Sequence, residues 1–134
     1  SGPLLDRIDI HSEVIPVELD KLASSADSEP SSAIQARVVA ARAVQNERFA
    51  PYPGVHCNAQ MPAPLLKKFC VLDDSCSKLL KMAMQRFGLS ARAYDRIVKL
   101  ARTIADLDRQ PRIRAEHIAE AIQYRSLDRE GWGN

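Results

Sequence analysis

From Ile8 onward apolar and polar residues alternate, with Ile8, Ile10 and Val14 on one side and Asp9, His11 and Glu13 on the other. A period of two predicts a half-buried strand, with Pro16 near its end because proline cannot donate to a ladder. The stretch before it, "SGPLLDR", reads as the end of a helix. A strand must pair its backbone groups, and no second strand pattern follows. The expectation is therefore a piece cut from a larger protein, whose sheet lies elsewhere.

The rest of the pattern is helical. "SSADSEPSS" (24–32) has the composition of a flexible connector. Ser32 and Gln35 then match a capping box, predicting a helix to about Phe49. Ile34, Val38 and Ala41 line one face of it, and Arg37, Arg42 and Arg48 lie off that face. "APYPGVHCNAQMPAP" is too rich in proline for a helix, and Pro62 or Pro64 suits the first turn of a short helix ending near Cys70. Asp73 caps the next helix, where Cys76, Leu79, Leu80, Ala83 and Phe87 recur at helical spacing and Gly88 supplies the stop. Ser90 caps a longer one carrying the stripe Ala93, Ile97, Leu100, Ile104 and Leu107. After "DLDRQPR" a last helix begins near Arg114. Ile113 and Ile118 form its hydrophobic staple, Ile118, Ala121 and Ile122 face inward, and the helix fades by Asp128 into a frayed tail, "REGWGN". The predicted fold class is mainly α, a helical bundle preceded by one orphan strand.

Composition narrows this only slightly. The 134 residues are 46% apolar and 27% charged, an ordinary globular balance, and the net charge of +2 is too small to argue for nucleic acid by itself. No apolar run approaches the ~18 residues of a membrane span, and the first residues lack the basic-then-apolar order of a secretory leader. No membrane partner is expected. The three cysteines, Cys57, Cys70 and Cys76, form no C-x-x-C pair, which suits a reducing, cytoplasmic setting. His56 beside Cys57 could seed a metal site with the other two, but zinc ligands come in close pairs on two short turns and these do not. No metal site is expected.

Candidate chemistry concentrates in "GLSARAYDRIVKLARTIADL" (88–107). Helical rotation of about 100° per residue puts Arg92, Arg96, Lys99 and Thr103 on one stripe beside the apolar face. Arg92 is the second helical residue after Ser90, where a cation opposes the helix dipole at a cost of ~0.3–1 kcal/mol. A phosphate at that helix start would offset the cost. From spacing alone the blander reading, a solvated basic face with Asp95 and Asp106 as local partners, is favoured. Arg7 is equally two-sided. Between Asp6 and Asp9 it is either a surface ion-pair member or a guanidinium aimed outward from a junction of elements. There is no G-x-x-x-x-G-K-[ST], G-x-G-x-x-G or H-E-x-x-H motif, and His56 and Cys57, adjacent in sequence, would point apart. A self-contained active site is not expected.

Four segments in this order, "SGPLLDRIDIH", "NAQMPAPLLKKFC", "LSARAYDRIVKLARTIADL" and "IRAEHIAEAIQYRSLDR", together resemble the C-terminal part of the magnesium-chelatase-like AAA+ ATPases, nearest to the bacterial ComM-like, or competence-protein, branch. The resemblance runs from Ser1 to about Arg129. It implies residues 1–20 as the end of an α/β core, 21–58 as a connector with one helix and 59–134 as the helical lid. It also implies a ring-forming ATPase, a homo-oligomer with a hexamer as the expected form, in which ATP with Mg2+ sits between subunits. "LLDRID" is similar to the arginine-finger segment, so Arg7 would act as a catalytic residue in a neighbouring subunit's site. The start of the long helix resembles sensor 2, which assigns Arg92, and more weakly Arg96, to the ATP phosphates. The implied partners are the upstream AAA+ core of the same chain, neighbouring ring subunits and DNA handled by the parent ring. The phosphate loop and its carboxylates are absent, so the chain alone is expected to hydrolyse no ATP and to hold no cofactor.

Two other readings stay open. An independent helical nucleic-acid-binding module would use Arg37, Arg42, Arg48, Arg92, Arg96 and Lys99 on phosphates, with affinity falling by ~0.9 log unit per log salt for each contact. A plain interaction domain would leave its arginines solvated.

Overall fold

Local signals start and stop most of the helices. In the computed structural model, which describes residues 2–12, 14, 16 and 28–125, the chain forms α1 (Gly2–Arg7), α2 (Ser31–Phe49), a 3-10 turn (Asn58–Gln60), α3 (Ala63–Phe69), α4 (Asp74–Phe87), α5 (Ala91–Leu107) and α6 (Ala115–Gln123). Asp73 accepts from the Cys76 N–H and Ser90 from the Ala93 N–H, satisfying first-turn donors of α4 and α5. Gly88 takes the left-handed conformation at φ 59° and ends α4. α5 ends in a Schellman arrangement, with Gln110 N–H donating to Ala105 C=O (2.9 Å) and Arg109 N–H to Asp106 C=O (3.1 Å). Arg109 holds the left-handed position there, φ 57°, without the freedom of a glycine.

α5 and α4 both pack on α6, while α2 and the 3-10 turn lie against α5. The core is continuous: Cys76, Leu80 and Ala83 from α4, Ile97, Val98, Ala101 and Ala105 from α5, and Ile118, Ala121 and Ile122 from α6, with Phe49, Met61, Leu65 and Cys70 closing one side. Ile113 and Ile118, one on each side of the α6 N-cap, are both buried in it. Small residues at Ala93, Ala101 and Ala105, each fully buried, let α5 approach its neighbours closely. The buried face of α5 is therefore centred on 93, 97, 101 and 105, and Leu100, Ile104 and Leu107 of the expected stripe sit at its half-buried margin.

Three sequence expectations are corrected. The strand expected over 8–14 does not form among the described residues of that stretch, which carry no ladder. Without a partner strand its polar groups turn elsewhere, and His11 N–H donates to Tyr124 C=O at the end of α6 (2.6 Å). The Ser32 capping box is not made. α2 begins two residues earlier, with Pro30 rather than Ser32 at the N-cap, and the Pro30 carbonyl accepts from Ala33 and Ile34 N–H. The expected apolar face of α2 is only partly used: Ala41 is buried, with Gln45 and Phe49, but Ile34 and Val38 are exposed because the first half of α2 extends beyond the bundle. Residues 24–27 of the connector, the 20/21 boundary and the "REGWGN" tail lie outside the described residues, and residues 31 and 32 of the expected connector already belong to α2. No described helix is long and apolar enough to cross a membrane.

Candidate phosphate-facing cleft

The basic stripe of α5 lines one cleft. Arg92, Asp95, Arg96, Lys99, Leu100 and Thr103 form one wall, and Asp9, Ile10 and Ala59 the other, around a volume of about 400 Å3. The Ser90 cap fixes the start of α5, so Arg92 projects from the first turn and is exposed. Among the described residues Arg92 makes no hydrogen bond or ion pair, which leaves its guanidinium available to something outside the chain. Arg96 pairs with Asp9, tying the segment after α1 to α5. Its Nε is buried with no described partner. Lys99 Nζ donates to Ala59 C=O (3.4 Å), and Thr103 Oγ1 donates to Lys99 C=O (3.2 Å).

The four residues of the α5 stripe are thus brought together, and Arg7 is not. It ends α1, is exposed, and does not line the cleft, although Asp9 two residues on does. His56, Cys57, Cys70 and Cys76 make no ligand set. Cys70 and Cys76 are buried in the core, and Cys76 Sγ donates to Ile113 C=O (3.6 Å). Burial pushes both thiols up to about 11. Among the described residues Asp108, Glu116 and His117 do converge. His117 is engaged at both ring nitrogens, however. Nδ1 accepts from Arg114 N–H (2.9 Å), so Nε2 carries the proton and donates to Asp108 (2.9 Å). This is half of a capping box; the guanidinium of Arg114 has no acceptor with which to return the second half.

Beneath the stripe lies a polar network that sequence reasoning missed. Asp106, almost fully buried, accepts from Arg48 through both carboxylate oxygens (2.8 and 2.7 Å) and from Asn58 Nδ2 (2.9 Å), and also pairs with Arg102 (3.2 Å). Asn58 also bonds Arg48, Gln45 and Thr103, so α2, the 3-10 turn and α5 meet at one carboxylate. Burial is the main influence lowering Arg102 from the usual arginine range, with Arg48 adding to it, while Asp106 opposes the shift. The available signal was Arg102 and Asp106 at i and i+4 on a helix whose other inward residues are apolar.

Residues 28–125 match the family model for the C-terminal domain of magnesium chelatase subunit ChlI. The chain belongs to that family. It is 37% identical over 130 residues to Competence protein ComM of Haemophilus influenzae, and 37% identical over 131 residues to the uncharacterized protein YifB of Escherichia coli, covering 96% of this chain and 25% of each relative. An uncharacterized protein of Mycobacterium tuberculosis is 32% identical over 125 residues. The chain thus spans about a quarter of the length of the curated relatives it matches.

Proposed function

We propose that this chain is the helical lid of a ring-forming AAA+ ATPase of the magnesium-chelatase-like type. In this reading Arg92 acts as the sensor 2 contact to ATP phosphates, Arg96 supports it, and Arg7 is an arginine finger reaching a neighbouring subunit. The observation that carries it is Arg92 itself: an unpaired guanidinium on the first turn of α5, at the mouth of a cleft it shares with Arg96 and Lys99. A cation at that position opposes the helix dipole, and a bound phosphate offsets the penalty. The cleft's three cations suit the phosphates, with Asp9 and Asp95 limiting the net charge.

Mg2+ and the attacking water would be held by the upstream core, where the phosphate loop lies. This chain's residues would bind and orient the phosphates, and Arg7 would stabilise charge on the transferring group. One relative bears the name competence protein, and DNA processing by the parent ring is the proposed setting, within a homo-oligomer such as a hexamer in the cytoplasm. The test is ATP hydrolysis by the full-length protein. Arg7→Ala is expected to lower turnover by ~10³-fold, in line with other arginine fingers, and Arg92→Ala to weaken ATP binding and turnover together. Activity unchanged in both variants would overturn the reading. The independent nucleic-acid module is disfavoured because two of its six cations are committed within the chain, Arg37 to Glu29 and Arg48 to Asp106.

A further inference from the structure

A second, larger cleft opens elsewhere on the bundle, and it shares no lining residue with the first. It encloses about 640 Å3, within the size range of sites that hold a whole small molecule. Arg48 and Arg102 line it, with Lys68 from α3 and Arg112 and Arg114 from the α5–α6 connection, together with Asp73. Asp106 is shared by Arg48 and Arg102, so the five cations are opposed by two carboxylates. Such an excess of like charge around one concavity raises the energy of the free protein and is relieved by an anion.

The cleft is built rather than incidental. Arg102 is 3% exposed, and its two Nη atoms are fixed by the carbonyls of Pro111 (3.1 Å) and Gln110 (2.8 Å). Those carbonyls are in turn set by the strained turn at Arg109. The Nε of Arg102 remains buried without a described partner, an unusual state for a charged group. Phe69, Val71 and Ile113 supply apolar wall, and the ring of Phe69 already carries Arg48 and Lys68 against it (5.9 and 5.4 Å). At the rim Arg112 and Arg114 are exposed, and neither side chain has a described partner.

We infer that this cleft is a second anion site, which takes a phosphate ester with its phosphate between Arg112, Arg114 and Lys68 and its organic part against Phe69, Val71 and Ile113. Guanidinium pairs grip phosphate bidentately, and Arg is the residue suited to that geometry. The ester can come from a free nucleotide or from the backbone of a nucleic-acid strand, and the experiment separates the two. The inference does not depend on the proposed ATPase role.

The test is titration of the 134-residue chain, followed by backbone amide NMR, with inorganic phosphate, AMP, ATP and a short single-stranded oligonucleotide in turn. Shifts are expected at 68–73 and 110–114, whereas the first cleft reports separately through 92–99. The double variant Arg112→Ala, Arg114→Ala should weaken binding about tenfold or more. A control, Lys78→Ala with Lys81→Ala, removes two exposed charges outside the cleft and should change it little. Saturable shifts with AMP and ATP identify a nucleotide as the source. Shifts with the oligonucleotide alone, weakening steeply with salt, identify a strand. No saturable shift at 68–73 and 110–114 with any of the four probes overturns the inference. So does an equal loss in the control pair, which would reduce the effect to net charge.

Discussion

Removing the Asp106 carboxylate tests how the lid is held together. This side chain is 1% exposed and faces two guanidiniums, one from α2 and one from its own helix. It also accepts from Asn58, which in turn ties down the 3-10 turn. Asp106→Asn keeps the shape and one acceptor oxygen but deletes the charge, leaving Arg48 and Arg102 close together in a poorly solvated place. Breaking a buried ion pair from one side costs about 3–5 kcal/mol. The wild-type network includes a bidentate contact to Arg48, which is itself 12% exposed, so water can relieve part of the loss. The expected cost is therefore about 3 kcal/mol for Asp106→Asn, and toward 5 for Asp106→Ala, which also leaves a cavity. Against a total stability of about 5–15 kcal/mol, that is a large fraction. The assay is urea unfolding followed by circular dichroism, with the midpoint shift read at a fixed m-value. A second arm combines Asp106→Asn with Arg102→Met. Removing one of the stranded cations should recover part of the loss, so the double variant falls short of the sum of the singles. A loss below about 1 kcal/mol for Asp106→Asn, or strict additivity in the pair, would refute the claim that this carboxylate neutralises both arginines.

Other outcomes follow from the caps and the core. Ser90→Ala removes the acceptor for Ala93 N–H and should cost about 1 kcal/mol in the same assay. Asp73 accepts from the Cys76 N–H, which holds its carboxyl below the usual range. A depressed folded-state value means the stabilisation is present above the unfolded carboxylate pKa, ~3.9, and is lost as pH falls through the folded one. The stability gap between wild type and Asp73→Ala should therefore narrow as the medium is acidified below about pH 4, and a gap independent of pH would contradict this. Cys70 and Cys76 are buried with thiols at about 11, whereas Cys57 is half-buried. At neutral pH a thiol reagent should modify Cys57 first in the native chain and all three cysteines only in denaturant.

Much of the helical framework was legible because its causes are local. Asp73, Gly88 and Ser90 each act on backbone groups within a turn of themselves, so a single sequence suffices to place them. The α5 stripe was legible for the same reason: helical rotation alone puts Arg92, Arg96, Lys99 and Thr103 along one wall. The strand at Ile8 was not decided by its alternation, since a strand exists only with a partner, and Tyr124 takes the His11 N–H instead. Nor could periodicity show that α2 leaves Ile34 and Val38 exposed, because which turn of an amphipathic helix meets the bundle depends on where its neighbours end.

The sequence by itself thus determined the helices from Ala63 to Gln123, most of their caps and the family to which they belong. Only the tertiary structure decided the polar interior and the second cleft. Arg48, Asn58, Arg102 and Asp106 come from three separate elements and look like surface residues along the chain, because a charge can be buried only where distant elements supply its partners. Arg112 and Arg114 likewise read as connector residues until the fold sets them beside Lys68 and Arg48. Concentrated charge is a property of proximity, and long-range proximity follows from packing rather than from sequence order.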